Sequence, residues 1–283
     1  MKTWRSVLRN GFRRGRIELG FTFGRRRDLL NQVLMIAILV VVIFMLRDRT
    51  GESTGGSVGA FILPGLLALT FGTTGMSGIA QALAVEREDG TLLRAKTLPG
   101  GMPAYLIGKV LVSSGSALIG ALGMLVPALA FLRGLALNTP GAWATLILVA
   151  ALGLVATLPL GAIIGSLVSS PRSLGVIMLV TMGISSLSGI FFPLSVLPGW
   201  LQVVGEAFPV YWIGLGLRSA ILPDSAVVHE LGESWRTAET FGALAAWAVL
   251  GLAVAPIVLR RMARRESGSA VEERRARALA RTV

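Results

Sequence analysis

Six runs of apolar residues, each long enough to cross ~30 Å of hydrocarbon as a helix, constrain this chain more than any other feature. They are expected at 29–46, 58–85, 104–131, 142–168, 173–192 and 240–259. A helix satisfies its own backbone donors and acceptors, which hydrocarbon cannot do, so runs of this length predict an all-α, polytopic membrane protein. Composition agrees, with 53% of the 283 residues hydrophobic and only 15% charged, more apolar surface than a soluble core of this length accommodates. Between the fifth and sixth runs, "YWIGLGLRSAIL" at 211–222 carries Arg218 and is too short to span.

The net charge of +12 would point to nucleic acid in a soluble chain. Here the basic residues report orientation first. All but five of the 27 Lys and Arg fall before the first run, in or just beyond the second connection, at Arg172 or after the last run. Arg47, Arg49, Arg133, Arg218 and Arg236 fall on the opposite side. The positive-inside rule then puts both termini in the cytoplasm, and no nucleic-acid partner is inferred. No small-residue cleavage site stands behind the run that begins near Leu29, so that run is expected to persist as a spanning helix.

Three regions follow: a cytoplasmic interfacial helix at 1–28, a six-helix membrane domain at 29–260 and a basic cytoplasmic tail at 261–283. In the first, Trp4, Leu8 and Phe12 recur at helical spacing, with Arg5, Arg9, Arg13, Arg14 and Arg16 largely on other faces. This pattern predicts a helix lying among membrane lipids, apolar side down and arginines among headgroups. Gly11, Gly15 and Gly20 weaken the helix, and a flexible basic lead-in is the alternative.

The spans carry no Asp, Glu, His or Arg at their centres, and Lys109 is expected to snorkel from the end of its helix. An ionisable group at depth costs ~3 kcal/mol on insertion scales and is kept for a task. Its absence argues against a proton-driven pump. A membrane-embedded hydrolase is disfavoured too, because the chain has no Cys, a single His (His229) and no HExxH. Ser113, Ser114 and Ser116, beside Gly115 and Gly120, read as small-residue helix packing, as does the GxxxG formed by Gly161 and Gly165. Phe61, Phe71, Met76, Met178, Met182 and Phe191 are candidates for a substrate path, Met being adaptable in shape, with ordinary packing as the alternative for each. No GxxxxGK[ST] occurs, so energy for transport has to come from another subunit.

The densest internal charge is "AVEREDGTLLRAKTLPGG" at 84–101. Gly90 suits the left-handed residue that ends a helix, Thr91 can start a short helix that Pro99 stops, and Pro103 can open the next span. Glu86, Arg87, Glu88 and Asp89 on the entry side, Arg94 and Lys96 on the exit side, and Leu92 and Leu93 between them suit docking into a cleft on a soluble partner. A solvated loop whose charges only anchor helix ends is the alternative.

"FILPGLLALTFGTTGMSGIAQALAVEREDGTLLRAKTLP", followed by "GKVL", resembles the signature of ABC exporter permeases of the ABC-2 type. "SGIFFPLSVLPGWLQVVGEAFPVYWIGLGLR" resembles the same family's segment after the fifth span, with Phe208 before Pro209 departing from its pattern. The resemblance implies a permease that pairs with a second copy, as a homodimer or with a close relative, and with two cytosolic ABC ATPase subunits. ATP and magnesium would bind those partners, and this chain would hold no cofactor or metal and have no catalytic residue. It implies that the coupling helix maps onto Glu86, Arg87, Glu88, Gly90, Thr91 and Arg94, and that the N-terminal helix also touches the ATPase. It further implies a re-entrant helical hairpin at 192–218, with Trp200, Tyr211 and Trp212 suited to the interfacial belt. The expected cargo is an amphipathic drug, antibiotic or natural product exported across a bacterial cytoplasmic membrane, with a lipid, lipid-linked glycan or peptide as the alternative.

Overall fold

A computed structural model describes residues 4–51, 56–98, 100–168 and 193–265, with short pieces between 175 and 189. Nine helices are named within them: α1 (Trp4–Gly24), α2 (Arg26–Met45), α3 (Val58–Glu88), α4 (Thr91–Thr97), α5 (Gly101–Phe131), α6 (Pro140–Leu167), α7 (Gly199–Glu206), α8 (Pro209–Ile221) and α9 (Thr237–Arg265). A two-residue antiparallel pair, Thr50 with Ser57 and Gly51 with Gly56, closes the turn between α2 and α3.

Among the described residues four helices are long and apolar enough to cross a membrane, within α3, α5, α6 and α9. The pair α1 and α2, bent by 73° at its break, makes a fifth crossing if it is counted as one span. Half of the run expected at 173–192 falls outside the described residues, as do Pro99, Phe191 and the tail from 266.

The helix ends follow local chemistry. Ser57 and Thr139 cap α3 and α6, their hydroxyls accepting from Ala60 N and Ala142 N; Pro140 and Pro209 open α6 and α8 at the first turn, where no backbone donor is lost. Within the spans Thr70, Thr157 and Ser166 donate to carbonyls four residues back, so these three hydroxyls find partners inside their own helices.

α3 is the centre of the bundle: 67% of its most apolar stretch is buried, against 33% in α5 and 28% in α9. It packs on α6 along the GxxxG face. A Cβ at Gly161 would stand 2.5 Å from Met76 O, and one at Gly165 2.7 Å from Ala80 Cα. Only glycine allows that approach, which gives the motif the packing role expected of it.

α8 fills the other end of this core, against α3, α6 and α9. Tyr211 is fully buried and Trp212 is 7% exposed, packed edge-on at 5.1 Å between ring centroids. Their expected place in an interfacial belt is therefore corrected: both point into the bundle because three helices surround α8. Trp200 on α7, 68% exposed, keeps a surface position.

Candidate coupling site

The charged stretch 84–101 is built as a tight elbow. α3 continues helical past its apolar run to Glu88, and Gly90 breaks it at φ 74°. α4 then runs for seven residues from Thr91 to Thr97, and Gly100 at φ 72° turns the chain into α5. Both glycines occupy the left-handed region that a side chain disfavours. Leu92 and Ala95 are buried in the main core beside Tyr105, which fastens α4 to the base of the bundle. Asp89, Arg94, Lys96, Thr97 and Leu98 form its exposed side, while Leu93 is half-buried.

Behind the elbow, four charges from three helices meet over one ring. Lys109 Nζ on α5 lies 2.5 Å from Glu86 Oε1 on α3 and 2.5 Å from Glu18 Oε1 on α1. Arg14 Nη2 approaches Glu86 Oε2 at 3.7 Å. Tyr105, fully buried, presents its ring to both cations, with the Arg14 guanidinium 4.9 Å and the Lys109 ammonium 5.6 Å from its centroid. Two carboxylates and two cations leave the cluster neutral, which suits its low exposure.

α1 reaches this cluster by packing on α5 through small residues. A Cβ at Gly11 or Gly15 would come within 2.7 Å of Ile107 or Leu111, so these glycines, which weaken the helix in sequence terms, are the crossing point that positions Arg14 and Glu18. Next along α3, Arg87 Nη1 donates to Val168 O at 2.8 Å and Ser166 O at 3.4 Å. A guanidinium there satisfies carbonyls at the end of α6 and complements the negative end of its dipole. The elbow is thus tied to α1, α5 and α6 at once.

The sequence model of a family described as "ABC-2 family transporter protein" matches residues 44–256, from the end of α2 into α9. The chain belongs to the ABC-2 transporter family. It is accordingly a membrane subunit of a transporter, and the matched region contains α3, α4 and α5 but leaves α1 outside. No curated protein matches the chain.

For this ABC-2 family chain, the expected site residues separate into two groups. Glu86 and Arg87 face inward and make the ties just described, so they are joints of the elbow rather than exposed docking charges. Asp89, Gly90, Thr91, Leu92, Leu93 and Arg94 make up the turn and α4 itself. Trp4, Leu8, Phe12 and Arg13 stand on the exposed side of α1, whereas Arg14 turns toward Glu86. Lys109 is corrected as well: its ammonium is held inside by two carboxylates, with no need to snorkel.

Among the described residues the candidate path residues do not gather in one cavity. Phe61 and Phe71 are core residues, Met182 is exposed, and Met178 accepts from Gln81 Nε2 through its sulfur at 3.2 Å. Met76 borders a cavity of about 30 Å³ with Thr181 and Phe208, room for about one water.

Glu18, Tyr105 and Lys109 were not singled out by sequence as site residues, although signals existed. Glu18 is the lone acid in the basic stretch 1–27, and Tyr105 and Lys109 are four residues apart, on one helical face. At the opposite end Arg218, read from sequence as a basic residue in the short apolar segment 211–222, is fully buried. Its Nε and Nη2 donate to the Glu230 carboxylate at 2.6 and 3.2 Å, and its Nη1 to Gly189 O at 2.9 Å. Among the described residues no group of three His, Cys, Asp or Glu could hold a metal.

Proposed function

We propose that this chain is the permease subunit of an ATP-binding-cassette exporter that moves an amphipathic compound, such as a drug, antibiotic or other natural product, out of a bacterial cell. Two copies form the membrane unit, and two ABC ATPase subunits, which bind ATP and magnesium, dock on the cytoplasmic face. Both termini lie on that face, a placement that the distribution of Lys and Arg supports.

One observation carries the reading. α4 is welded to the ends of α3 and α5 through Leu92 and Ala95 while Arg94 and Leu98 remain on its outer side. A push on α4 therefore has no slack to absorb it and passes into the central helix. Nucleotide binding on another chain can then bias two packings of the bundle, inward-open and outward-open. The uncharged span centres support a lipid-soluble cargo over a free ion.

The decisive experiment reconstitutes the chain in liposomes with an ABC ATPase pair and follows an amphipathic dye such as Hoechst 33342. The reading requires ATP-dependent movement of dye and an ATPase rate that changes when this chain is present. Uphill transport by the chain alone, or movement of a labelled lipid or peptide in place of dye, would overturn the energy source or the cargo class respectively.

A further inference from the structure

α1 runs beside a spanning helix in the same direction. Gly11, Gly15 and Leu19 meet Ile107, Leu111 and Gly115 of α5 in one register, which carries Arg9 level with Tyr105 and Arg13 level with Lys109. At that level the apolar run of α3 ends with Val85 and its charged end begins with Glu86, the partner of Lys109. It is the height at which hydrocarbon gives way to headgroups.

Val7, Gly11 and Gly15 are the buried face of α1, and helical spacing puts Arg9, Arg13 and Arg16 on the opposite face, all three exposed. They line one depression of about 440 Å³, walled by Phe12 and Ile17, 53% and 52% exposed. Arginines and apolar side chains therefore share the outward half of α1, in place of the separate apolar and basic sides expected from sequence. Three cations on one helical face repel one another. Among the described residues no carboxylate lies within ion-pair distance of them, and the one acid of α1, Glu18, is turned inward to Lys109. The depression is thus complementary to an anion.

Two observations select the kind of anion. α2 follows α1 directly and leads into the apolar run that begins near Leu29, which keeps the arginines at the membrane surface. A soluble phosphate would leave Phe12 and Ile17 in water, whereas a lipid phosphate brings acyl chains that cover them. We propose that this face of α1 binds an anionic phospholipid, its phosphate held by Arg9, Arg13 and Arg16 and its acyl chains against Phe12 and Ile17. The site involves neither α4 nor the cargo, so it can fail without the proposed function failing.

The test uses the full chain in vesicles of phosphatidylglycerol and phosphatidylcholine, with one lipid or the other carrying brominated acyl chains. Ile17→Trp puts a fluorophore in the wall of the depression. Val249→Trp, exposed on α9, reports ordinary boundary lipid. Each is read as the difference from the parent chain, which has its own tryptophans. I17W should be quenched more strongly by brominated phosphatidylglycerol than by brominated phosphatidylcholine, with a preference on the order of five-fold per arginine, while V249W shows little preference. Arg9→Gln, Arg13→Gln and Arg16→Gln together should remove the preference of I17W. Arg260→Gln, Arg261→Gln and Arg264→Gln, which take the same charge from the end of α9, should leave it. Both sets are exposed, so neither change disturbs the core. Equal quenching of I17W by both lipids, or equal effects of the two triple changes, overturns the assignment. Relief of quenching by inorganic phosphate, beyond that by sodium chloride at matched ionic strength, would make the depression a soluble-anion site. Loss of the preference on binding an ABC ATPase pair would give the face to a protein partner, and either result overturns the lipid assignment.

Discussion

Lys109 Nζ stands 2.5 Å from Glu86 Oε1, joining the first turns of α5 to the last turn of α3 across the elbow that contains α4. The pair is enclosed, with the Lys109 side chain 9% and the Glu86 side chain 15% exposed. Its value lies in what happens when one partner is lost: the remaining charge is left in a site built for a neutral set. Lys109→Met should therefore destabilise the folded chain by ~3 kcal/mol. Adding Glu86→Gln and Glu18→Gln should restore part of the loss. Thermal unfolding of the purified chain in detergent measures this, and additive losses in the combined variant would remove the cluster from the account.

The outer side of α4 carries a different expectation. Arg94 is exposed, so Arg94→Glu should leave the unfolding temperature near that of the parent chain while reducing ATP-coupled transport by about ten-fold, the effect of ~1.4 kcal/mol at a docking surface. Leu92→Asp should instead destabilise the fold, because Leu92 is 2% exposed. Glu233→Lys, on the exposed loop before α9, should change neither. Normal transport by R94E in a correctly assembled complex would move the docking surface away from α4.

How far the sequence revealed this arrangement depended on whether one segment or several were involved. Gly90, Thr91 and the seven-residue helix were legible because a left-handed glycine and a helix start are local signals. Four of the six expected spans, within α3, α5, α6 and α9, were legible because length and hydropathy are summed along one run. Their ends moved outward by a few residues, from 104 to Gly101 for α5 and from 85 to Glu88 for α3, since helices continue past the apolar run into a charged junction. What stayed hidden required two segments to meet. Glu86 has the same spacing in the sequence whether it faces a partner protein or Lys109. Gly11 and Gly15 look like weak points in a helix until Ile107 and Leu111 are placed against them. Arg218 looks like a stray cation in a short apolar segment until Glu230 closes over it.

The glycine seam between α6 and α3 yields a sharp contrast within one membrane domain. Gly165→Val would set a branched side chain against the backbone of Ala80 and Leu83 Cβ, forcing the two helices apart, and should cost on the order of 3 kcal/mol or prevent assembly. Gly242→Ala on α9 meets nothing within 4 Å. It should be neutral or slightly stabilising, since alanine is favoured over glycine by ~1 kcal/mol in a helix. Unfolding curves of the two variants decide the matter, and equal tolerance at both positions would contradict the close crossing.

Arg218 and Glu230 test how the opposite end is closed. Arg218 on α8 holds the Glu230 carboxylate with two nitrogens and the Gly189 carbonyl with a third. One side chain thus joins the core helix, the loop before α9 and a turn within the last residues of the fifth apolar run. Arg218→Lys keeps the charge but supplies a single point donor, so it cannot reproduce the planar, two-pronged contact and the carbonyl bond together. It should lose nearly as much stability as Arg218→Met, ~3 kcal/mol. Glu230→Gln retains a partial acceptor and should lose less. Since Arg236 and Glu206 form a second, half-exposed pair nearby, Arg236→Met serves as the comparison and should cost under ~1 kcal/mol. The four variants can be ranked by their unfolding temperatures in detergent, and full rescue by R218K would show that charge alone, without the forked geometry, closes this end of the bundle.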